Sequence, residues 1–409
     1  MEQQIRILHV LGRLDRGGAE TMIMNLYRHM DRNRIQFDFV IHTEDICDYT
    51  EEIERLGGKI YSVKPFGAST ALGYPGQWRQ FFRQHPEYRV IHGHMRSTAS
   101  LYLREAKRAG LVTIVHSHNT SSGRGFSALV KNGLQYPLRF QADYLFACSE
   151  WAGIWLYGKR ACGKPNFSIL RNGIEPEGFI FNNGKRQRKR KELLPGSPET
   201  LPEPLVFLHI GRLEPQKNHA FLIEIMQEIV KRKKTAELWL CGVGPLEARL
   251  KEQVGKAGLE TRIRFLGMRT DVPELLQAAD GMIFPSLFEG LPVTLVEAQA
   301  AGLPVLMSDR ITEEVVLTDL VRTLPLDAGT EKWALLALEM AGRNEDVGDA
   351  PCRDRACYGE VISQSGYNAA ENAKMLGEFY EKLWHEERKG GNGKKAKAQA
   401  ADREGRSRQ

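Results

Sequence analysis

The sequence predicts an α/β protein built from two doubly wound domains. Three observations lead there. Apolar runs of strand length alternate with amphipathic helical segments, the pattern of a parallel sheet covered on both faces. The alternation halts near residue 173 and restarts after residue 200. A chain of 409 residues also exceeds what one ordinary hydrophobic core serves.

In the first half, Ile5-Arg6-Ile7-Leu8-His9-Val10 reads as the opening strand. A turn with Gly17-Gly18 follows, then an amphipathic helix from Ala19 to about Met30. Phe37–Ile41 is the next strand. Ile53–Leu56 belongs to a helix stopped by Gly57-Gly58, since glycine accepts the backbone conformation that ends a helix. Ile60–Val63, Val90–His92, Thr113–His116 and Tyr144–Ala147 complete the first set of strands. The join, between about Gly173 and Pro204, holds a basic run and several prolines. Beyond it, strands are expected at Leu205–Ile210, Ala236–Cys241, Ile263–Leu266, Gly281–Phe284 and Pro304–Met307. Helices His219–Arg232 and Leu246–Ala257 lie among them. A final helix, Asn368 to about Glu387, carries Phe379, Tyr380 and Trp384 at helical spacing and is expected to return to the first domain. The expected division is therefore 1–180 with 368–387, then 181–367, then a disordered basic tail, 388–409. Residues 342–367 are poor in periodic apolar positions and are assigned to no element.

At 42% hydrophobic and 26% charged residues, the composition is that of a soluble globular protein. No apolar run approaches the roughly 20 residues of a membrane-spanning helix. The opening residues lack a secretory pattern, so the protein reads as cytoplasmic. Its six cysteines show neither Cys-x-x-Cys nor zinc spacing and read as thiols in a reducing compartment. The net charge of +6 gathers in Lys185–Lys191 and in the tail. Neither run has the interleaved aromatics of a single-strand nucleic-acid surface, so no nucleic-acid partner is expected. Solvated charge is the first reading and weak attraction to an anionic membrane the second. The stretch Arg124–Arg139 mixes cations with Phe126, Leu129, Val130, Leu134 and Tyr136. It reads equally as an interfacial helix or as one packed on its own domain.

The chemistry-bearing motifs all follow strands, the side on which such sheets bind ligands. Phe288 to Glu297 places Glu289 in a Gly/Pro loop and Glu297 eight positions on, two helical turns later. Carboxylates accept hydrogen bonds from sugar and ribose hydroxyls. The loop between them, Gly290-Leu291-Pro292-Val293, opens a helix whose free amides suit an anion. Gly211 through Asn218 sets Arg212 and Lys217 in one loop, a fork-like guanidinium and a mobile ammonium suited to a diphosphate. Read alone they are surface charges. Gly242-x-Gly244 fits a tight turn as well as a phosphate approach. Gly267-Met268-Arg269 fits a turn as well as a base-edge contact. Gly17-Gly18 fits an anion site at a helix start as well as a strand–helix turn. His92, His94, His116 and His118 cluster at strand ends with Asn119. Lacking nearby carboxylates they suit hydrogen bonding more than a metal.

These motifs, in this order, resemble the retaining glycosyltransferases of the GT-B fold, family 4, in the exopolysaccharide-type subgroup. The resemblance runs from about Ile5 to Lys382. It rests on Gly17-Gly18-Ala19-Glu20, His116-Ser117-His118-Asn119-Thr120, Arg171-Asn172-Gly173-Ile174, Gly211-Arg212 through Lys217-Asn218, and the Glu-x7-Glu of Glu289 and Glu297. It implies two Rossmann-like domains with a cleft between them that closes over the substrates. It implies a nucleotide-sugar co-substrate, UDP-linked in the first instance, with no cofactor and no metal. Arg212 and Lys217 would hold the donor diphosphate, Glu289 and the backbone of Gly290–Val293 the sugar, and Glu297 the ribose. Gly17, Gly18, Gly211, Gly242 and Arg269 would line the donor site. His118, or His116 in its place, would contact the donor sugar, with His94 and Asn119 nearby and Asn172 at the hinge. The acceptor would be a glycan or lipid-linked glycan, and the place of work the cytoplasm, at the inner face of the membrane. The alternatives are a sugar-nucleotide-binding protein, or an epimerase or hydrolase on the same architecture.

Overall fold

The computed structural model describes residues 4–118, 126–194, 203–342 and 354–385. The chain divides into two compact units, one of residues 1–173 with 369–409 and one of residues 174–368.

The first unit holds a seven-stranded, all-parallel sheet. Its strands are β1 (Ile5–Val10), β2 (Ile35–Ile41), β3 (Ile60–Ser62), β4 (Val90–Gly93), β5 (Val112–Ser117), β6 (Tyr144–Ala147) and β7 (Phe167–Ile169). The spatial order is β3-β2-β1-β4-β5-β6-β7, so the winding reverses between β1 and β4. Strand β2 is buried along its whole length, as expected of a strand covered on both faces. Its one charge, Asp38, is fully satisfied. It accepts from Arg6 at 2.6 Å, the Tyr88 hydroxyl at 2.7 Å and the Lys59 amide at 2.7 Å. Helix 369–385 packs into this core through Ala373, Leu376, Tyr380, Leu383 and Trp384, as the aromatic spacing leads one to expect.

The second unit repeats the plan with six parallel strands: β8 (Val206–Ile210), β9 (Glu237–Cys241), β10 (Ile263–Gly267), β11 (Gly281–Phe284), β12 (Val305–Ser308) and β13 (Val321–Leu324). Their order is β10-β9-β8-β11-β12-β13, reversing between β8 and β11. Helices His219–Arg232 and Thr330–Gly342 pack together on this sheet and contribute to a core cluster with its strands.

Three expectations are corrected here. The units part at 173/174 instead of 180/181, because the segment after Gly173 packs on the second unit. The basic run is solvated only in part. It forms helix Asn183–Leu193, where Arg186 and Arg190 reach Asp280, Lys189 reaches Asp271, and Arg190 also reaches Glu203. Buried cations survive only with such partners, while Arg188 and Lys191 of the same run stay exposed. Residues 354–367, left unassigned above, form short helical turns. From there Arg355 donates to the carbonyls of Leu276, Ala279 and Ala301, and burial lowers its guanidinium to about 9. The tail after residue 385, Arg124 and most of Pro195–Pro204 lie outside the described residues.

Candidate functional site

In the second unit, two loops meet where the winding reverses. One runs from Gly211 to Asn218 after β8, the other from Pro285 to Pro292 after β11. The first turns through Pro215–Lys217 and through Asn218, which adopts the left-handed conformation at φ 56. Asparagine tolerates that conformation better than most residues, and here its side chain donates to the Pro285 carbonyl at 3.2 Å. The Leu287 amide donates back to the Gln216 carbonyl at 2.8 Å.

That stitching joins two charges 72 residues apart. Lys217 Nζ lies 2.7 Å from Glu289 Oε1, with the two side chains only 17% and 9% exposed. Gln216 donates to the other oxygen, Oε2, at 3.1 Å, and to the Phe288 carbonyl at 2.9 Å. The Lys217 ammonium sits 4.7 Å from the centre of the Phe284 ring, a cation–π contact. The sequence assigned Lys217 to phosphate and Glu289 to sugar as separate functions; the structure makes them one ion pair. Gln216 was missed, although its place beside Lys217 was a signal. Arg212 stands apart at 75% exposed, with Glu214 at 3.1 Å, and is free to turn toward an anion.

The glycines of these loops divide by reason. A Cβ on Gly211 would meet the stem of Lys217, one on Gly242 the Gly211 carbonyl, and one on Gly244 the backbone of Leu213. Close approach of the loops after β8 and β9 thus accounts for Gly242 and Gly244. At Gly267, with φ +66, a Cβ would meet nothing; its requirement is the turn itself. The Arg269 guanidinium is taken up by Asp271 through both Nε and Nη2, which leaves backbone as what this turn offers a ligand.

Helix Val293–Ala300 begins at Pro292, so Glu297 lies just over one turn inside it, not two. The amides of Gly290, Leu291, Val293 and Thr294 donate to no group among the described residues, and the helix dipole adds its positive end there. Glu297 carries neither a cation nor a donor from the described side chains. Burial pushes its carboxyl up to about 7.

In the first unit, the reversal between β1 and β4 carries histidine. His9 faces His92 in register, and His94, His116 and His118 continue the same face at alternate positions. His9 Nδ1 lies 3.0 Å from His94 Nε2, and His94 Nδ1 lies 2.9 Å from His118 Nε2. His92 Nδ1 lies 2.6 Å from the Tyr380 hydroxyl. The rings stack, His116 on His118 at 4.1 Å and His92 on His94 at 4.4 Å between centroids. Desolvation holds all five neutral. It pushes His9 and His118 down to about 3, and His92, His94 and His116 well below the usual range. Two sets, His9/His92/His94 and His94/His116/His118, bring ring nitrogens within 4.8 Å of one another, close enough to raise a metal ion. Yet His116 and His118 lie in planes only 26° apart. Lone pairs lie in the ring plane, so two stacked rings do not converge on an ion about 2.0 Å from both nitrogens. Of this cluster the sequence missed His9, whose sign was a strand histidine in phase with the two His-x-His pairs.

Gly17 caps helix Gly18–His29 without a side-chain cap, and the Glu20 carboxylate folds over it. Burial raises the Glu20 carboxyl. An anion there would meet a resident acid, which weakens the phosphate reading at Gly17 and leaves exposed Gly18 open. Asn172 is buried two residues before the second unit begins. Its neighbours Arg171 and Gly173 accept from Asn372 and Asn25. Asn119 lies outside the described residues.

Comparison with known proteins gives this geometry a context. Residues 191–332 match the family model described as "Glycosyl transferases group 1", and residues 16–177 the one described as "Glycosyltransferase Family 4". The chain is 36% identical over 384 residues to "Putative glycosyltransferase EpsF" of Bacillus subtilis, covering 92% of this chain and 96% of that one. It is 29% identical over 236 residues to the Escherichia coli "UDP-Gal:alpha-D-GlcNAc-diphosphoundecaprenol alpha-1,3-galactosyltransferase", covering 54% of this chain and 58% of that one. In fold it resembles the crystal structure of Anabaena HepE in complex with UDP and glucose. The TM-score is 0.71 at 18% identity, over 93% of this chain and all of that one.

Proposed function

Since the chain belongs to the group 1 glycosyltransferases of GT-B fold, we propose that it moves a sugar, with retention, from a UDP-linked donor to a glycan or lipid-linked glycan during synthesis of a cell-surface polysaccharide. The observation that carries the reading is the Lys217–Glu289 pair set beside exposed Arg212 and the amides of Gly290, Leu291, Val293 and Thr294, which donate to no group among the described residues. Donor cleavage breaks the bond between the anomeric carbon and the β-phosphate oxygen and leaves charge on that phosphate. Arg212, Lys217 and the helix amides stabilise it in place of a divalent cation. Glu289, steadied by Lys217 and Gln216, accepts from sugar hydroxyls, and Glu297 from the ribose. Retention follows from attack on the face the phosphate leaves, the phosphate taking the acceptor proton. Relatives support the direction: one is named a galactosyltransferase using UDP-Gal and a diphosphoundecaprenol-linked sugar, and one was crystallised with UDP and glucose.

The acceptor reading draws in a membrane surface. No helix among the described residues is long and apolar enough to cross a membrane. In the first unit, Leu129, Val130, Tyr136, Phe140 and Trp151 are all strongly exposed, and Arg139 lies over Tyr136. Aromatic and aliphatic side chains beside cations suit an interfacial contact with anionic lipid on the cytoplasmic face.

A panel of nucleotide sugars, scored by thermal stabilisation and slow donor hydrolysis, tests the proposal. Stabilisation by UDP-sugars and turnover undiminished by EDTA are expected. Silence toward every donor would overturn the transferase reading. Co-sedimentation with anionic vesicles at low salt tests the surface separately.

A further inference from the structure

We propose that His94, backed by His9, fixes His118 as a hydrogen-bond donor at Nδ1, aimed at a hydroxyl or phosphate oxygen of the ligand. The inference rests on reading His118 as a substrate contact. It adds where the proton sits and which residues put it there.

Three rings stand in series. His94 spends both nitrogens on neighbours, Nε2 on His9 Nδ1 and Nδ1 on His118 Nε2. All three are neutral, held so by burial, and a neutral imidazole has one N–H. His94 must therefore donate through one nitrogen and accept through the other. Two arrangements satisfy both contacts. In the first, His9 donates from Nδ1 to His94, His94 donates from Nδ1 to His118, and His118 keeps its proton at Nδ1. In the second, all three protons sit on Nε2, and His118 donates to His94, which donates to His9.

Each arrangement leaves one N–H beyond the chain, and the two ends differ. His9 Nε2 is buried with no partner, its ring 4.2 Å from Phe37 and 5.7 Å from Phe39 between centroids. A proton there is an unpaired donor sealed in an apolar core, which is costly. His118 Nδ1 also has no partner among the described residues. That atom is itself buried, but its residue stands past the end of β5 and is only partly buried, so at this end a ligand oxygen, once bound against it, can complete it. The first arrangement places the open N–H at the end that a substrate reaches. His94 is thus a positioning residue, acting through His118 in the way that a second partner sets the tautomer of a working imidazole.

The test uses the full-length protein labelled with 15N in histidine alone. Long-range 1H–15N spectra report which nitrogen of each ring holds its proton, and His118→Phe assigns the His118 signals. Wild type should show His118 protonated at Nδ1. His94→Leu should move that proton to Nε2 and lower kcat roughly 10- to 100-fold. In His94→Asn the amide can occupy the place of the Nδ1 donor and should restore both tautomer and most of the rate. If His94→Leu does not fold, His9→Leu takes its place. It frees His94 to carry its proton on either nitrogen, so His118 should then show both tautomers. An Nε2-protonated His118 in wild type would overturn the proposal, as would a tautomer unmoved in these variants. So would a stoichiometric transition metal in the purified protein that is lost with His94. The spectra need no substrate, so failure of every donor would sink the transferase reading while leaving this one to be decided.

Discussion

The two units reverse their winding at the same topological place, beside β1 in one and beside β8 in the other, yet fill it with opposite electrostatics. Beside β8 stand a charged pair, an exposed arginine and open amides. Beside β1 stand five neutral, stacked imidazoles with no carboxylate bonded to any of them among the described residues. Topology thus decides where side chains gather, and local chemistry decides what they bind. The second unit is equipped for an anion and its hydroxyls. The first offers uncharged donors and acceptors, suited to a ligand whose charge is handled elsewhere.

The largest expected consequence is in acid. Six histidines of the first unit, the five clustered ones and His42, are held below their usual 6.5, chiefly by burial. Between the folded and unfolded values the unfolded chain binds the proton and the folded one does not, so falling pH favours unfolding. Their contribution is fully present above 6.5 and is lost as pH drops toward the folded values, at about 1.4 kcal/mol per histidine per pH unit. The second unit has two such histidines, His209 and His219. Each unit also has a carboxyl raised by burial, which acts the other way: Glu20 in the first, and Glu297 in the second, stabilising as pH falls from about 7 toward 4.5. Hydrogen exchange read on peptides from each unit should show the first opening at a higher pH than the second. Simultaneous opening would erase the electrostatic distinction.

Next come the charged residues themselves. Lys217→Met removes the ammonium from its contact with the largely buried Glu289 carboxylate. It should cost about 3 kcal/mol of stability and lower transfer about 10²- to 10³-fold. Adding Glu289→Gln should recover much of the stability and none of the activity, a non-additivity that a double-mutant cycle measures. Near-normal transfer by Lys217→Met would remove it from the chemistry. Arg212→Ala sharpens the contrast from the other side. Its side chain is 75% exposed, so the unfolding midpoint should not move while transfer falls about 10- to 100-fold. A stability loss would mean that Arg212 serves the fold.

The sequence shows the interior strands and the motifs at their ends because a strand buried on both faces is a plain apolar run. The edge strands β7, Phe167–Ile169, and β13, Val321–Leu324, escaped that reading. Each has one neighbour and exposed positions, and β13 carries Arg322 and Thr323, so neither forms an apolar run. Lys185–Lys191 misled for a related reason. Charge pattern is local, whereas the carboxylates of Asp271 and Asp280 that bury those cations lie more than 80 residues away. The Lys217–Glu289 bond was hidden likewise. Both residues were recognised, but only the adjacency of β8 and β11 brings them within reach. His9 shows the limit in the first unit, since its role depends on the register of β1 against β4.

The smallest expected effect falls on donor affinity and tests whether Glu297 belongs with the charged side of the comparison. Its carboxyl is pushed up to about 7 by burial alone, so near neutrality it is part acid and part carboxylate. The carboxylate can accept from two ribose hydroxyls; the acid gives up one of those acceptors to its own proton. Donor KM should therefore rise as pH falls through 7, by up to about tenfold over the two units centred there, while kcat changes little because the ribose is remote from the bond that breaks. Glu297→Gln keeps the shape and removes the titration, so its KM should be raised and flat across the same range. A wild-type profile equally flat would place Glu297 outside the donor site. A variant that still shows the full rise would assign the titration to another group.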